Sequence, residues 1–353
     1  MSLKEKVLFI GLGNYGCKQS KIFFDMGYKV MFANGSEQDL KVLGNVPNIY
    51  RLNHFDGLGG HRELGIDLLA RNEEFVKALE NIKEEIVFPI SASAGSTGSG
   101  TAPIVEELIL SINDNKIVCP INALPSSDES IIKHKNAYQA VQELLELKDS
   151  LGATFFINND IGKDYEYINN TFAELLDNFL TNNSYGALNN FDESERIEML
   201  RDSGAMVLSL GKIGTKVSTM VEKISGGIFA SIEDNKICEN IAVIHAGNDN
   251  RDIETSSIIA EVGKSKNVFE GYNNGDKGTL IAVSGLDYPL THVSKLGEIA
   301  QKSYEERKRS RQKYGEKKLA DLSFVEDDTP KPVVSEKKTS SKLDVMRKRM
   351  VKQ

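Results

Sequence analysis

The run from Ser91 to Gly100 consists only of Gly, Ala, Ser and Thr, residue types that build no hydrophobic core. Its glycines let a ligand approach the backbone, and its hydroxyl groups donate hydrogen bonds. A predicted buried strand at 86–90 precedes the run, and apolar residues at helical spacing over 104–112 follow it, with Pro103 in the expected first turn. Such a strand-to-helix loop directs backbone amides and the positive end of a helix at an anion. The run therefore predicts a phosphate site, with an exposed turn as the alternative.

A second glycine-rich loop, from Gly11 to Gly16, follows a strand signal at 6–10. Its pattern, GxGxxG, is typical of dinucleotide-binding units, in which the next strand ends in Asp or Glu to hold the ribose. Here the next strand, at 28–33, is followed by Asn34. An NAD-dependent dehydrogenase stays an alternative, but that function leaves the run at 91–100 unexplained.

A third glycine-rich loop covers 56–65 and has the sequence DGLGGHRELG. We expect His61 and Arg62 to be solvated loop residues, with a contact from Arg62 to phosphate as the alternative. A Walker loop does not fit the run at 91–100, because Thr101 stands where that motif requires lysine. Three loops of this type close together favour a nucleotide site.

The composition predicts a globular, cytoplasmic protein. The chain has 353 residues, of which 40% are hydrophobic, and it contains neither a long apolar run nor a signal peptide. We expect Cys17, Cys119 and Cys238 to be reduced thiols, mostly buried, and His245 to be a core histidine. The net charge of −8 hides a tail of +6 beginning at Pro330, which leaves −14 on the rest of the chain. Such an acidic body disfavours general nucleic-acid binding, so an anionic partner is expected only at the tail.

Several segments together resemble the tubulin/FtsZ family. Ala94–Gly100, AGSTGSG, is similar to the family signature GGGTGSG at five of its seven positions. Residues 34–40 resemble the family's NTDxxxL, and 56–65 resemble its γ-phosphate loop, although the proline of that loop is missing. Residues 190–195 resemble NxDxx(D/E). The order of these motifs along the chain is the order in the family.

The resemblance implies a GTP site and assigns roles within it. Tyr165 would stack on the base, and Asn169, or Asn170 if the register shifts by one, would pair with the edge of guanine. A capping or packing role for Tyr165 and Asn169 is the alternative. Glu129 and Lys133 would hold the ribose, with a surface ion pair as the alternative. The implied contacts are Gly11, Gly13, Asn14, Tyr15, Asn34, Gly59, Gly60, Ala94, Gly95, Ser96, Thr97, Gly98, Ser99, Gly100, Glu129, Lys133, Tyr165 and Asn169.

The resemblance also implies catalytic residues in the segment at 190–195. In the family this loop completes the nucleotide site of the next subunit in a filament, so Asn190, Asp192 and Glu195 would act on a neighbour's GTP. The residues alone equally predict a solvated loop in which Asp192 caps the following helix. Mg²⁺ would be held through the phosphates, and no side-chain metal cluster is predicted.

The expected fold is an α/β, tubulin/FtsZ-like architecture with a Rossmann-like GTPase domain. That domain covers 1–163, and a central helix at 164–188 joins it to the second part. A loop and an α+β second, or activation, domain occupy 189–286. A long C-terminal helix at 287–322 and a flexible basic tail at 323–353 complete the chain.

Within the family, the altered signature, long C-terminal helix and basic tail most resemble TubZ, the plasmid and phage partition filaments, of the clostridial phage type. A cell-division protein of the FtsZ type is the alternative. The resemblance implies head-to-tail filaments whose tail engages a TubR-like DNA-binding adaptor on centromere-like DNA, without a membrane partner. An apolar edge for such a contact would comprise Leu343, Val345, Met346, Met350 and Val351. A passive tail and direct binding of DNA are the competing interpretations.

Overall fold

The computed structural model describes residues 2–113, 115–182, 191–247, 253–274 and 277–319, together with positions 343, 346, 347 and 350. Within these residues, eleven strands form one sheet. The strands are β1 (Val7–Leu12), β2 (Lys29–Asn34), β3 (Ile49–Arg51), β4 (Ile86–Ala92), β5 (Ile117–Val118), β6 (Ile121–Leu124), β7 (Ala153–Asn158), β8 (Gly204–Gly211), β9 (Asn240–Ala246), β10 (Asn267–Asn273) and β11 (Thr279–Leu286). Their order is β10-β9-β11-β8-β7-β6-β4-β1-β2-β3, and β5 pairs with β4.

The described residues also form α-helices that cover the sheet and connect its strands. They are α1 (Gly13–Asp25), α2 (Glu37–Lys41), α3 (Gly65–Ala70), α4 (Glu73–Glu80), α5 (Ser96–Ile112), α6 (Ile131–Leu147), α7 (Tyr165–Thr181), α8 (Glu193–Arg201), α9 (Val217–Gly226), α10 (Thr255–Val262) and α11 (Leu290–Leu319). None of these helices is long and apolar enough to cross a bilayer.

The first half of the sheet is parallel, and its strands other than the edge strand β3 are largely buried. From β3 through β2, β1, β4 and β6 to β7, each pair of neighbours is parallel. Their near-continuous apolar sequences are typical of strands with helices on both faces. Because all of them run in one direction, the loops that follow β1, β2, β4, β6 and β7 meet at one edge of the sheet, called here the carboxyl edge.

The second half of the sheet is mixed. β11 lies antiparallel between β8 and β9, while β10 is parallel to β9. β8 continues the first half of the sheet by pairing with β7. The strands predicted in this part are confirmed, and His245 is buried and stacked on the ring of Tyr272. All three cysteines are free and buried.

Two local expectations are corrected. α5 begins at Ser96, so Ser96–Gly100 are helical and Pro103 lies in the helix interior, not in its first turn. The predicted strand at 116–121 is divided into β5 and β6 around Pro120, which has no N–H with which to continue a ladder.

The described part of the tail packs on the body of the protein. Leu343 and Met346 are buried, and Met350 packs against the same hydrophobic core. The amide of Leu343 donates to Glu107 Oε2 at 3.3 Å, and Arg347 Nη2 donates to Ser111 Oγ at 3.4 Å. The segment that was expected to fold on a partner thus packs on the hydrophobic core and is hydrogen-bonded to α5, while Val345 and Val351 lie outside the described residues.

Candidate nucleotide-binding site

A cavity of about 580 Å³ opens at the carboxyl edge of the sheet. It is lined by the loops after β1, β2, β4, β6 and β7, by the third glycine-rich loop and by the start of α7. The predicted contacts that line it are Gly13, Asn14, Tyr15, Asn34, Gly59, Gly60, Ala94, Gly95, Ser96, Thr97, Gly98, Glu129, Lys133, Tyr165 and Asn169. The three glycine-rich loops therefore serve one site, which a dehydrogenase interpretation did not explain.

The glycines bring the backbones of the first two loops into contact. Gly13 has φ +72°, and a Cβ added there would lie 2.9 Å from the amide nitrogen of Gly98. A Cβ at Gly98 would lie 2.7 Å from the carbonyl oxygen of Leu12. At the start of α5, Gly95 supplies no side-chain cap, so the amides of the first turn can bind an anion.

The other end of the cavity contains buried acceptors without a partner. Asn159 Oδ1 and Asn169 Oδ1 are both buried and accept no hydrogen bond within the described residues. Guanine presents N1–H and an amino group along one edge, so the two amide oxygens match its donors. Tyr165, at the start of α7, adds a ring that is 53% exposed and free to stack on a base. Asn170 is exposed and does not line the cavity, which favours Asn169 for the amide role.

The predicted ribose pair forms beside this base end. Lys133 Nζ lies 2.5 Å from Glu129 Oε2, and Tyr165 Oη donates to Glu129 Oε1 at 3.3 Å. Glu129 precedes α6, and Lys133 lies in the first turn of that helix. Glu129 and Lys133 therefore form an ion pair and also line the cavity. A ribose there would meet the carboxylate of Glu129, which Lys133 and Tyr165 already orient.

Three predicted contacts do not line the cavity. Gly11 packs on the backbone of α1, where a Cβ would lie 2.6 Å from the carbonyl oxygen of Gly16. Ser99 turns back and donates to the carbonyl of Gly95. Gly100 faces away from the cavity, because a Cβ there would clash with the carbonyl oxygen of Arg62. Their role is to fit the loops together.

Arg62 is neither a solvated loop residue nor part of the cavity lining, so both expectations for it were wrong. Its side chain is only 5% exposed, and it does not line the cavity. The guanidinium group instead binds Glu143 and Ser99. His61 is exposed, as expected, and lies beside Glu63.

Several lining residues were missed by sequence reasoning: Lys18, Ser36, Asp39 and Asn159. Asn34 Nδ2 donates to Asp39 Oδ2 at 3.1 Å, and the Asp39 amide donates to Ser36 Oγ at 3.3 Å. The available signal was position, because Asn159 directly follows a parallel strand, where its side chain must reach the carboxyl edge. Lys18 had no comparable signal, since one residue in an amphipathic helix does not reveal which face it occupies.

The predicted catalytic carboxylates lie outside the cavity. Asp192 caps α8 by accepting from the amides of Ser194 and Glu195, and Glu195 Oε2 accepts from the Asp192 amide at 2.9 Å. Hydrogen bonds from Ser194 and Glu195 lower the pKa of Asp192, whereas burial raises the pKa of Glu195. The capping role is therefore present in the folded chain, and Asn190 lies outside the described residues.

The cavity lies in the part of the chain that one family model matches. The model for the GTPase domain of the tubulin/FtsZ family covers residues 7–164. Residues 7–164 are therefore similar to this GTPase domain. This range includes all three glycine-rich loops, the ribose pair and Asn159, while Tyr165 and Asn169 follow it directly.

Known proteins of this family also match over most of the chain. The chain is 24% identical to the tubulin-like protein TubZ of Clostridium botulinum C phage, over 98% of this chain and 97% of the relative. The crystal structure of Clostridium botulinum phage c-st TubZ superimposes with a TM-score of 0.76 at 21% identity, over 86% of this chain and 99% of that chain. A GTPγS-form protofilament of Bacillus thuringiensis serovar israelensis TubZ gives 0.74 at 14% identity, over 88% and 96%. The fold is therefore the tubulin/FtsZ fold.

Proposed function

We propose that the chain is a GTPase of the TubZ type that assembles head to tail with GTP and segregates plasmid or phage DNA through a DNA-bound adaptor. The observation that carries the nucleotide part is the pair of unpartnered amide oxygens, Asn159 Oδ1 and Asn169 Oδ1, in the same cavity as the phosphate-type loops. Unpartnered buried acceptors destabilise the free protein, and a ligand with matching donors removes that cost. Guanine has these donors, whereas adenine presents an acceptor at N1.

The position of the carboxylates supports assembly. Glu193, next to Asp192, lies 2.6 Å from Lys6 Nζ, and Lys6 precedes the amino end of β1. The nucleotide cavity begins at the other end of this six-residue strand, about 20 Å away. Asp192 and Glu195 thus cannot reach the nucleotide of their own chain. A second copy stacked on the carboxyl edge would bring them there, and the TubZ of Bacillus thuringiensis serovar israelensis is one relative that forms a protofilament.

The chemistry follows from these groups. Water attacks the γ-phosphorus, the bond to the β–γ bridging oxygen breaks, and GDP and phosphate leave. Glu195 of the neighbouring copy accepts the proton of the water, and its raised pKa makes it a stronger base. Asp192 stays ionised and orients the water. The loop amides at Gly59, Gly60 and Gly95–Gly98 stabilise the charge that develops on the phosphate oxygens.

Mg²⁺ fits the oxygen donors of the cavity. No group of three or more His, Cys, Asp or Glu side chains that could hold a metal occurs among the described residues. Asp39, Ser36 and Thr97 nevertheless line the cavity with oxygen atoms. This suits an ion held mainly by phosphates and water, with Asp39 as the carboxylate toward it. Bound there, Mg²⁺ would neutralise phosphate charge.

Sedimentation with GTP and with GDP tests the proposal. We expect the protein to pellet with GTP and to stay in the supernatant with GDP. Because the site is completed by a neighbour, GTP hydrolysis per subunit should rise with protein concentration. Constant activity per subunit over a hundredfold concentration range, without pelleting, would contradict assembly-dependent catalysis.

The tail is the proposed contact to the adaptor. Its charge of +6 suits the acidic field of a protein seated on DNA. Arg347 is exposed, whereas Leu343 and Met346 are buried against the body. The adaptor therefore meets the basic side of the segment first, and use of the apolar edge requires its release from α5.

Deletion after Pro330 separates this role from catalysis. The truncated protein should assemble and hydrolyse GTP largely as the full chain does, but it should no longer pellet the adaptor–DNA complex. Capture by the full chain should weaken as salt rises, because the contact is electrostatic. Undiminished capture after truncation would rule the tail out, and tight binding of the tail to naked DNA would replace the adaptor with a direct contact.

A further inference from the structure

Arg62 supplies a hydrogen bond that Pro103 cannot make within α5. Pro103 lies inside α5 and has no N–H, so the carbonyl of Ser99 has no donor one turn later in the helix. Arg62 Nη2 donates to this carbonyl at 2.7 Å, and Nε donates to Ser99 Oγ at 3.3 Å. A side chain from the third glycine-rich loop thus replaces a missing backbone bond in the helix that opens the phosphate site.

The same guanidinium group is fixed from a third element. Arg62 Nη1 and Nη2 bind Glu143 Oε1 and Oε2 of α6 at 2.6 and 2.7 Å, in a two-pronged ion pair. A lysine could not make both contacts in this geometry. Arg62 therefore joins its own loop, α5 and α6 at a single buried point.

Neighbouring contacts show that this point controls the position of the loop. Gly59 and Gly60 line the cavity three and two residues before Arg62. Asn136 Nδ2 donates to the carbonyls of Gly60 at 3.1 Å and Ala94 at 3.4 Å, so the loop is also tied to the phosphate-type run. A side chain at Gly100 would clash with the Arg62 backbone. Small displacements of Arg62 must therefore move the loop amides.

A second buried carboxyl group lies near this ion pair without disturbing its charge balance. Glu106, on α5, is buried, and its Oε2 has no partner among the described residues. Burial, with a smaller contribution from Glu143, raises the pKa of Glu106 to about 8. Near neutral pH this carboxyl is protonated, so the single positive charge of Arg62 faces one carboxylate.

We propose that Arg62 is a positioning residue for the terminal phosphate: it holds the amides of the Gly57–Gly60 loop at the distance from α5 that a nucleoside triphosphate requires. The inference rests on the proposed nucleotide function and extends it to discrimination between GTP and GDP. Arg62 does not touch the nucleotide. It acts through the loop and through Ser99.

The test measures affinities of monomeric protein for GTPγS and for GDP. Arg62→Met should lower the affinity for GTPγS about 10-fold or more, because the loop amides are misplaced, while the affinity for GDP changes less than about 3-fold. Glu143→Gln should shift the ratio in the same direction by a smaller factor. The matched control is Arg196→Lys, because Arg196 is a buried arginine that binds the carbonyls of Phe179 and Asn182 away from the cavity. Its melting temperature should fall without a change in the ratio.

Pro103→Ala separates positioning from simple stabilisation. In the Arg62→Met background, this change returns a backbone donor to the Ser99 carbonyl, so it should raise the melting temperature of the variant. It should not restore the preference for GTPγS, because the loop stays untied. If Arg62→Met alone does not fold, the melting temperature and the affinities for GTPγS and GDP are measured on the double variant Arg62→Met with Glu143→Leu.

The outcomes distinguish the two proposals. An unchanged GTPγS/GDP ratio in folded Arg62 variants, or its recovery by Pro103→Ala, overturns the positioning role and leaves the nucleotide function standing. A wild-type protein that binds neither nucleotide overturns both.

Discussion

The two edges of the parallel half-sheet differ in whether their polar atoms have hydrogen-bond partners within the chain. At the carboxyl edge, Asn159 and Asn169 keep buried acceptors without a partner, and the first turn of α5 has no side-chain cap. At the amino edge, Asp192 and Glu195 already satisfy each other's amides in a capping box. The carboxyl edge therefore has polar groups that a ligand could bind. At the amino edge, the hydrogen bonds of Asp192 and Glu195 are already formed within the isolated chain.

Under the proposed function, Asp192 and Glu195 act on the nucleotide of a neighbouring copy, and the capping box is compatible with that role. A capping box holds each side chain in one orientation but leaves further oxygen lone pairs available. Asp192 is exposed and Glu195 is partly buried, so both can face a second copy without unfolding α8. Stability and catalysis then use the same residues, and substitutions must be chosen to separate the two.

The largest expected effect belongs to Glu195→Gln. Glutamine can keep the capping bond at this position, but it cannot accept a proton. We expect GTP binding by the monomer to stay near wild type and hydrolysis in assembled protein to fall about 10²-fold or more. The control is Glu198→Gln, an exposed change on the same helix. Loss of GTP binding by the Glu195 variant, with normal turnover of the nucleotide that remains bound, would contradict the role in a neighbour's site.

Guanine recognition at the carboxyl edge is tested by removing the two amide acceptors. Asn159→Leu and Asn169→Leu should each lower the affinity for GTP by about 10-fold or more and should affect ATP much less, since a site built for guanine's donors loses them. Asn170→Leu serves as control, because its side chain is exposed and outside the cavity. The readout is the ratio of GTP to ATP affinity. Equal affinities in the wild type would remove guanine recognition from the account.

An effect on stability, not on binding or hydrolysis, is expected from Glu106, whose Oε2 has no partner among the described residues. Its pKa is about 8 in the folded chain against 4.5 as the ordinary value, so the folded state binds the extra proton between these pH values. Its contribution to stability is complete below pH 4.5 and is lost as pH rises to about 8, at up to about 1.4 kcal/mol per pH unit.

Glu106→Gln should therefore flatten the decline of unfolding free energy between pH 5 and 8. Denaturant unfolding at several pH values measures it, and the exposed Glu80→Gln is the control. Parallel curves for Glu106→Gln and wild type would show that this carboxyl titrates normally.

The sequence predicted the structure best where a residue pattern has only one physical explanation. Apolar strands and glycine-rich loops predicted the parallel half-sheet, and the spacing of Tyr165 and Asn169 predicted their shared place at the start of α7, because both follow from backbone periodicity. Asp192 as a helix cap was also readable from residue type.

What the sequence could not predict depends on contacts between distant segments. The position of Arg62 is set by Pro103 and Glu143, which lie 41 and 81 residues further along the chain. Similarly, Gly100 and Ser99 belong to the phosphate-type run by composition, yet α5 begins early and turns both away from the cavity. The packing of Leu343 and Met346 against the hydrophobic core had no local signal, because their apolar edge fits any hydrophobic surface.

The most direct test of the central claim mixes two inactive variants. Glu195→Gln binds GTP but lacks the base, while Gly98→Val loses the nucleotide, since its side chain would meet the carbonyl oxygen of Leu12. If the site is shared between copies, an equimolar mixture that co-sediments should regain about a quarter of the wild-type hydrolysis, from junctions that combine the intact halves at random. Hydrolysis no greater than the sum of the separate variants, in a mixture that co-sediments, would contradict catalysis between neighbouring subunits.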